Sequence, residues 1–422
     1  MREERKIIIG ALFETIIDMK QYIVIIIALI SAGSCQAQMP NHTPKPDLNI
    51  VCGAERLDVL LPLLKGKNVA LLVNQTAQVN GTHLVDTLLH YGITIKKIYA
   101  PEHGFRGTAD AGEHIDNATD AKTGIPVISL YGDKKMPSTD DLAGVDVVVF
   151  DIQDVGARFY TFISSLHYLM QACAENKKPL IVLDRPNPNG WYVDGPVMKP
   201  AFTSFVGVDP IPVVHGLTVG EYAQMVNGES WLPKGEQCPL QVVTCLNYDH
   251  TKHYSLPVKP SPNLPNDLAI ELYPSICFFE GTNVSVGRGT DMPFQVIGSP
   301  NAKFSGAYEF TPRSTDGAKN PPFLKQTCYG FDLRKPENVK DGLYGKGSFT
   351  FQYLIAMYHY YGPDRSTFFL KNNFIDKLMG TDEVRKMLEE GESEKEIRVT
   401  YQKDLDTYKE KRKRYLLYAD FE

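Results

Sequence analysis

A chain of 422 residues is too long for one small core and long enough for two domains. Its 43% hydrophobic and 22% charged content is that of an ordinary globular protein, which excludes disorder as the bulk state. A formal charge of -6 argues against a nucleic-acid partner, and the basic run Lys409 to Arg414 lies in a highly charged helical tail that reads as a solvated face.

At the N-terminus, Lys20 precedes an apolar run from Tyr22 to Ile30, then Ser31-Ala-Gly-Ser34 and Cys35-Gln-Ala-Gln38, the layout of a secretory peptide. The run is short for a membrane span. The expectation is an exported protein with a signal peptide over 1–37, periplasmic or held at the outer membrane by a lipid on Cys35. Ala32 stands where a lipobox prefers Leu, so cleavage after Ala37 competes with lipidation. Residues 38–48, with three prolines among Asn, His and Thr, make a linker.

Strands and helices then alternate. Asn68 to Val73 reads as an apolar strand, Thr82 to Tyr91 as a helix closed by Gly92, and Ile95 to Ala100 as a strand breaking at Pro101 into Glu102-His103-Gly-Phe-Arg106-Gly. Val127 to Leu130 ends in Tyr131-Gly-Asp133, and Val145 to Phe150 ends in Asp151-Ile-Gln-Asp154-Val-Gly156-Ala-Arg158. Apolar residues from Phe159 to Cys173 fall at helical spacing, so the start of that helix presents Arg158 and Tyr160 where free backbone N-H groups favour an anion. Leu180 to Leu183 leads into Asp184-Arg185-Pro-Asn187-Pro, Ile211 to Val214 into His215-Gly216, and Thr218 with Glu221 forms a capping box. This alternation implies a mostly parallel sheet with helices on both faces over 49–225, its polar strand ends gathered along one edge.

From 226 to 422 the pattern becomes a smaller α+β domain, with short strands at Leu240 to Leu246 and Ile276 to Phe279 and late helices at Phe349 to Tyr361 and Ser393 to Tyr418. It supplies two loops, Pro260-Ser-Pro-Asn263-Leu-Pro and Phe279-Glu280-Gly-Thr-Asn283 through Arg288 to Asp291. The glycines of the second lack P-loop spacing, and its polar residues suit polyhydroxyl recognition. Cys238 and Cys245 could pair across a hairpin, but the cysteines form no framework, and the absence of C-x-x-C offers no structural zinc site.

Each polar strand end also has a packing role open to it. Asp151 or Asp154 could cap the following helix, Asp184 and Asn187 could make Asx turns, and His215 could be a satisfied core histidine. Two carboxylates with Gln153 and Arg158 in eight residues exceed what capping needs. Acids around an uncharged cleft suit hydrolysis of a sugar bond, and Arg106, Arg158, Arg185 and Arg288 suit an acidic sugar, whose carboxylate a guanidinium holds at two points.

At these residues the chain resembles the exo-β-N-acetylmuramidases of the NamZ type. The motifs are P-E-H-G-F-R-G at Pro101, F-D-I-Q-D-V-G-A-R-F-Y-T-F at Phe150, L-D-R-P-N-P at Leu183, H-G-L-T-x-G-E at His215, P-S-P-N-L-P at Pro260 and F-F-E-G-T-N-V-S-V-G-R-G-T at Phe278. The resemblance implies a Rossmann-like domain joined to a smaller one, with the site in the cleft between them. It also implies release of terminal N-acetylmuramic acid from the non-reducing end of peptidoglycan fragments such as MurNAc-GlcNAc. No cofactor is expected, and no H-E-x-x-H or comparable spacing supports a metal site. On that reading Glu102 is the general acid, Asp151 or Asp154 the second carboxylate, and His103 and Tyr160 assist. Arg106, Arg158, Asp184, Arg185, Asn187, His215, Asn263, Glu280, Asn283, Arg288 and Asp291 bind substrate. Two rivals are a metal-dependent amidase or esterase using His103, Asp151 and His215, with Asp184 a further ligand chemically open to such a metal site, and a two-lobed muropeptide-binding protein without chemistry.

Overall fold

The computed structural model describes residues 49–422 except 103, 106–117, 303, 336–348 and 363. A short helix, α1 (Leu57–Leu64), leads into β1 (Asn68–Val73), a hairpin of β2 (Gln78–Val79) and β3 (Thr82–His83), α2 (Leu84–His90), β4 (Thr94–Ala100), β5 (Ala118–Thr119) and β6 (Pro126–Ser129). There follow β7 (Val147–Asp151), α3 (Phe162–Glu175), β8 (Leu180–Leu183), α4 (Val219–Gly228) and β9 (Leu240–Val243). Seven strands form one sheet in the order β5-β6-β4-β1-β7-β8-β9, parallel throughout except for β5.

Residues in β1 alternate between two cores, as the period of two in a strand demands. Val69, Leu71 and Val73 pack with Leu60 and Leu64 of α1 and Leu84 and Leu88 of α2. Ala70 and Leu72 face the other way, into the core that holds Leu166, Leu169 and Met170 of α3. Burial on both faces explains why β1, β7 and β8 read as continuous apolar runs rather than alternating ones.

The rest of the chain adds α5 (Asp267–Ile276), β10 (Val296–Ser299), β11 (Tyr308–Phe310), β12 (Cys328–Asp332), α6 (Gln352–Tyr360), α7 (Phe374–Met379), α8 (Glu383–Glu390) and α9 (Glu394–Arg412). Its strands make a separate antiparallel sheet in the order β10-β12-β11. Leu272 of α5, Leu354 of α6 and Leu378 of α7 belong to the same core as α3, and Ile50–Glu422 is one compact unit. The large sheet takes its edge strand β9 from beyond residue 226.

Four local expectations are corrected. Ile211 to Val214 is not a strand: Pro212 has no N-H for a ladder, and only Val214 makes bridges, to Ala157 and Asp194. The apolar run Ile276 to Phe279 is the end of α5 and a single 3-10 turn, Cys277–Gly281, because a short buried run carries no period that separates strand from helix. Helix α3 begins at Phe162, after a buried passage of turns that includes the Tyr160 N-H to Ala157 carbonyl bond, rather than at Phe159. Cys238 and Cys245 flank the single strand β9 rather than a hairpin, about 20 Å apart at strand rise, and all six described cysteines are free thiols.

Gly281 closes the 3-10 turn against α7, where a β-carbon would lie 2.4 Å from the backbone nitrogen of Ile375. Backbone cannot yield as a side-chain tip can. Gly281→Ala is expected to cost about 1–3 kcal/mol, read as a lower melting temperature in thermal denaturation.

Candidate active site

The parallel strands of the large sheet end on one edge, and what they deliver there differs from strand to strand. Strand β4 ends at Ala100 and carries Glu102 two residues beyond; its neighbour β6 ends at Ser129 and carries Tyr131. Their pairing, extended by the Leu130 N-H to the Ala100 carbonyl at 2.8 Å, brings the two together: the Tyr131 hydroxyl donates to Glu102 Oε1 at 3.0 Å. Thr161, immediately before α3, donates to Glu102 Oε2 at 3.1 Å. The carboxyl is thus held at both oxygens by hydroxyls from different elements.

Glu102 lines a cleft of about 710 Å³ with Tyr131, Tyr160 and Thr161 on the sheet side. Ser261, Tyr273, Glu280, Arg288 and Phe294 face it from the C-terminal part, and the loop from Gly317 to Pro322 contributes Lys319 and Asn320. Arg288 lies between Gly287 and Gly289, both at positive φ, where added β-carbons would strike Val296 and the Arg313 carbonyl respectively. That bend turns the guanidinium inward, with Nε 2.7 Å from Glu280 Oε1 and the plane 5.0 Å from the centre of the Phe294 ring. Burial, then the charges of Asp154 and Glu102, raise the Tyr160 hydroxyl well above its ordinary value against a lowering contact with Ser261, so it stays protonated.

The other strand-end residues serve packing. Asp151 binds Arg185 in a two-point buried pair, Oδ1 to Nε at 2.5 Å and Oδ2 to Nη2 at 2.9 Å, which fastens the end of β7 to that of β8. Asp154 Oδ2 accepts from the Gly156 N-H at 2.6 Å. His215 Nδ1 accepts from the Leu217 N-H, which leaves Nε2 to carry the ring proton 3.5 Å from Asp154 Oδ2. Asp184 accepts from the Gly220 N-H and the hydroxyls of Thr218 and Tyr418, holding the start of α4. Asn187 fills the space left by the missing side chain of Gly156 and donates to the Leu217 carbonyl. Arg158, 1% exposed, has no carboxylate partner among the described residues and donates to the carbonyls of Pro196, Ile211 and Leu378.

Of the expected site residues, Glu102, Tyr160, Glu280 and Arg288 therefore share the cleft, and Asn263 stands just behind it, donating to the Gly317 carbonyl of the lining loop. Asp151, Asp154, Arg158, Asp184, Arg185, Asn187 and His215 do not line it. Asn283 borders a smaller cavity of about 420 Å³ that shares Glu280 and Arg288 with the cleft, and Asp291 is in an exposed pair with Arg313. His103 and Arg106 lie outside the described residues. Among the described residues no three His, Cys, Asp or Glu side chains are grouped to hold a metal ion; Asp151, Asp184 and His215 are each engaged as above. The sequence reading missed Thr161 and Ser261, although each adjoins a residue it singled out, and the loop at Gly317, which carries only turn signals.

Residues 69–268 match the family model described as exo-beta-N-acetylmuramidase NamZ, N-terminal, and residues 271–418 that described as its C-terminal counterpart. The chain is 38% identical over 419 residues to the peptidoglycan beta-N-acetylmuramidase NamZ of Bacillus subtilis strain 168, covering 92% of this chain and 96% of that protein. Two crystal structures of DUF1343 family proteins from Bacteroides fragilis NCTC 9343 are also similar. One has a TM-score of 0.80 at 47% identity and covers 88% of this chain and 100% of its own. The other has a TM-score of 0.73 at 29% identity, with coverages of 87% and 99%.

Two measurements test the packing assignments. Arg158→Met takes a donor from the carbonyls of Pro196, Ile211 and Leu378, of which Ile211 keeps the Met198 N-H, and is expected to lower stability by about 3 kcal/mol in chemical denaturation. Burial, then the charge of Glu221, push Asp184 up to about 6 from 3.8 despite the donors around it. The folded state then holds this proton more tightly than the unfolded chain, so the Asp184 contribution is fully present below the ordinary carboxylate value and lost as pH rises through about 6. It amounts to about 3 kcal/mol, and the wild type is expected to lose stability between pH 4 and 6.5 relative to Asp184→Asn, which lacks this proton.

Proposed function

Because the chain belongs to the exo-β-N-acetylmuramidase NamZ family, we propose that it is an exo-acting glycoside hydrolase releasing terminal N-acetylmuramic acid from the non-reducing end of peptidoglycan fragments. The observation that carries this reading to the atoms is Glu102, fixed at both oxygens and opening on the cleft.

Cleaving a glycosidic bond requires a proton on the leaving oxygen as the bond breaks, or the departing alkoxide is too basic to leave. Glu102 is the carboxyl placed to supply it. The hydroxyls of Tyr131 and Thr161 set its direction before substrate arrives, which removes a reorientation cost from the reaction. The half-buried rings of Tyr131 and Phe205, which also line the cleft, give the sugar apolar surface to lie against, and Arg288 brings positive charge to a substrate that carries a lactyl carboxylate. Export to the compartment where such fragments arise is part of the proposal, supported by the segment from Lys20 to Gln38, with lipid attachment at Cys35 as one form of it.

The test is incubation of the purified chain with MurNAc-GlcNAc, where free N-acetylmuramic acid is the expected product. Glu102→Gln is expected to act about 1,000-fold more slowly on this poor leaving group, with a far smaller loss on an activated aryl glycoside that departs without a proton. Near-wild-type rates for the variant on the disaccharide would remove Glu102 from the role of acid.

A further inference from the structure

Hydrolysis of a sugar bond needs a second group, acting on the face of the anomeric carbon opposite the leaving oxygen. The sequence placed that role on Asp151 or Asp154, yet Asp151 is locked to Arg185 and Asp154 is buried against Gly156 and His215. Among the described residues only two carboxylates line the cleft, Glu102 on the sheet side and Glu280 on the C-terminal side. They come from unrelated elements, one from the end of β4 and one from the 3-10 turn after α5.

Glu280 has the mounting such a group needs. It sits in the 3-10 turn after α5, which packs so closely on α7 that a β-carbon on Gly281 would not fit. Arg288 Nε donates to Oε1 at 2.7 Å, while among the described residues Oε2 has only the Cys277 sulfur, at 3.6 Å. One oxygen is anchored and the other is left for chemistry. With a side-chain exposure of 28%, Glu280 meets the cleft rather than lying beneath it as Asp151 does.

We infer that Glu280 is the second carboxylate of the reaction, with Arg288 as its positioning residue; this rests on the glycosidase reading above. The bond from the anomeric carbon to the glycosidic oxygen breaks, and its electron pair leaves on that oxygen, which takes the proton of Glu102. The new bond on the opposite face comes from Glu280 Oε2, later displaced by water whose proton returns to Glu102, or from a water whose proton Glu280 takes. Either way one water is consumed and the two sugars separate.

The experiment compares wild type, Glu280→Gln, Glu280→Ala and Arg288→Lys on a β-linked aryl glycoside of N-acetylmuramic acid, with melting temperatures recorded for each. Both Glu280 variants are expected to lose about 1,000-fold in kcat, and azide is expected to restore turnover to Glu280→Ala with the α-glycosyl azide as product, since azide enters from the vacated face. Arg288→Lys keeps the charge but not the fixed direction of the guanidinium, and is expected to lower kcat ten- to a hundredfold with KM within about threefold. A Glu280→Gln variant that melts like wild type and keeps kcat within tenfold overturns the proposal, as does a folded Glu280→Ala that azide fails to rescue or that yields the β-azide. Failure of the wild type to release N-acetylmuramic acid from either substrate would instead overturn the family-based reading, so the two failures are distinct.

Discussion

The geometry of the cleft depends on a cation that never reaches it. Arg158 is completely buried, and burial alone lowers it to about 9, which still leaves it charged at neutral pH. An unpaired charge in an apolar interior is expensive, and here backbone carbonyls rather than a carboxylate offset the cost. Those of Pro196 and Ile211 belong to the loops beyond β8, and that of Leu378 to α7 in the C-terminal part. Because Arg158 lies three residues before Thr161, the same guanidinium that pins α7 also sets the start of α3 and with it one of the two hydroxyls on Glu102. The walls of the cleft are thereby registered to each other through a contact that substrate does not touch.

Much of the fold was legible because it follows from local rules. The apolar runs at Asn68–Val73 and Leu180–Leu183 stand as strands at the expected bounds, and the capping box at Thr218 and Glu221 opens α4, with both reciprocal bonds made. The gathering of polar strand ends on one edge followed from parallel connection alone. What composition could not tell was which of those polar groups face the cleft and which satisfy one another. Asp151 and Arg185 are 34 residues apart, and nothing in either neighbourhood announces that they form a closed pair. The same holds for Asp184, whose partner Tyr418 lies 234 residues downstream. Glu102 and Glu280 were singled out from their glycine-flanked loops, yet their shared cleft depends on contacts between α5, α7 and the α3 face that exist only once the chain is folded.

The division of labour among the charged residues has a physical logic. Groups that must keep strand ends in register are fully buried, where a two-point pair or a helix cap gives a single geometry. The two carboxylates that line the cleft, Glu102 and Glu280, retain partial exposure and are steered by neutral hydroxyls or by one edge of a guanidinium. Had Asp151 been the reacting carboxylate, freeing it would have left Arg185 as an uncompensated charge beneath the sheet.

The C-terminal end of the chain carries a different consequence. Buried acceptors of the sheet region are completed by residues synthesised much later: the carbonyls of His215 and Gly216 by Tyr408 and Arg412, Glu221 by the Leu417 N-H, and Asp184 by Tyr418. A ribosome that has made every strand of the large sheet has therefore not yet supplied the donors which make its interior tolerable. The interior of the sheet region gains its full set of hydrogen bonds only when α9 and the segment after it have folded back onto it, so the C-terminal end works as a structural latch on strands made long before it.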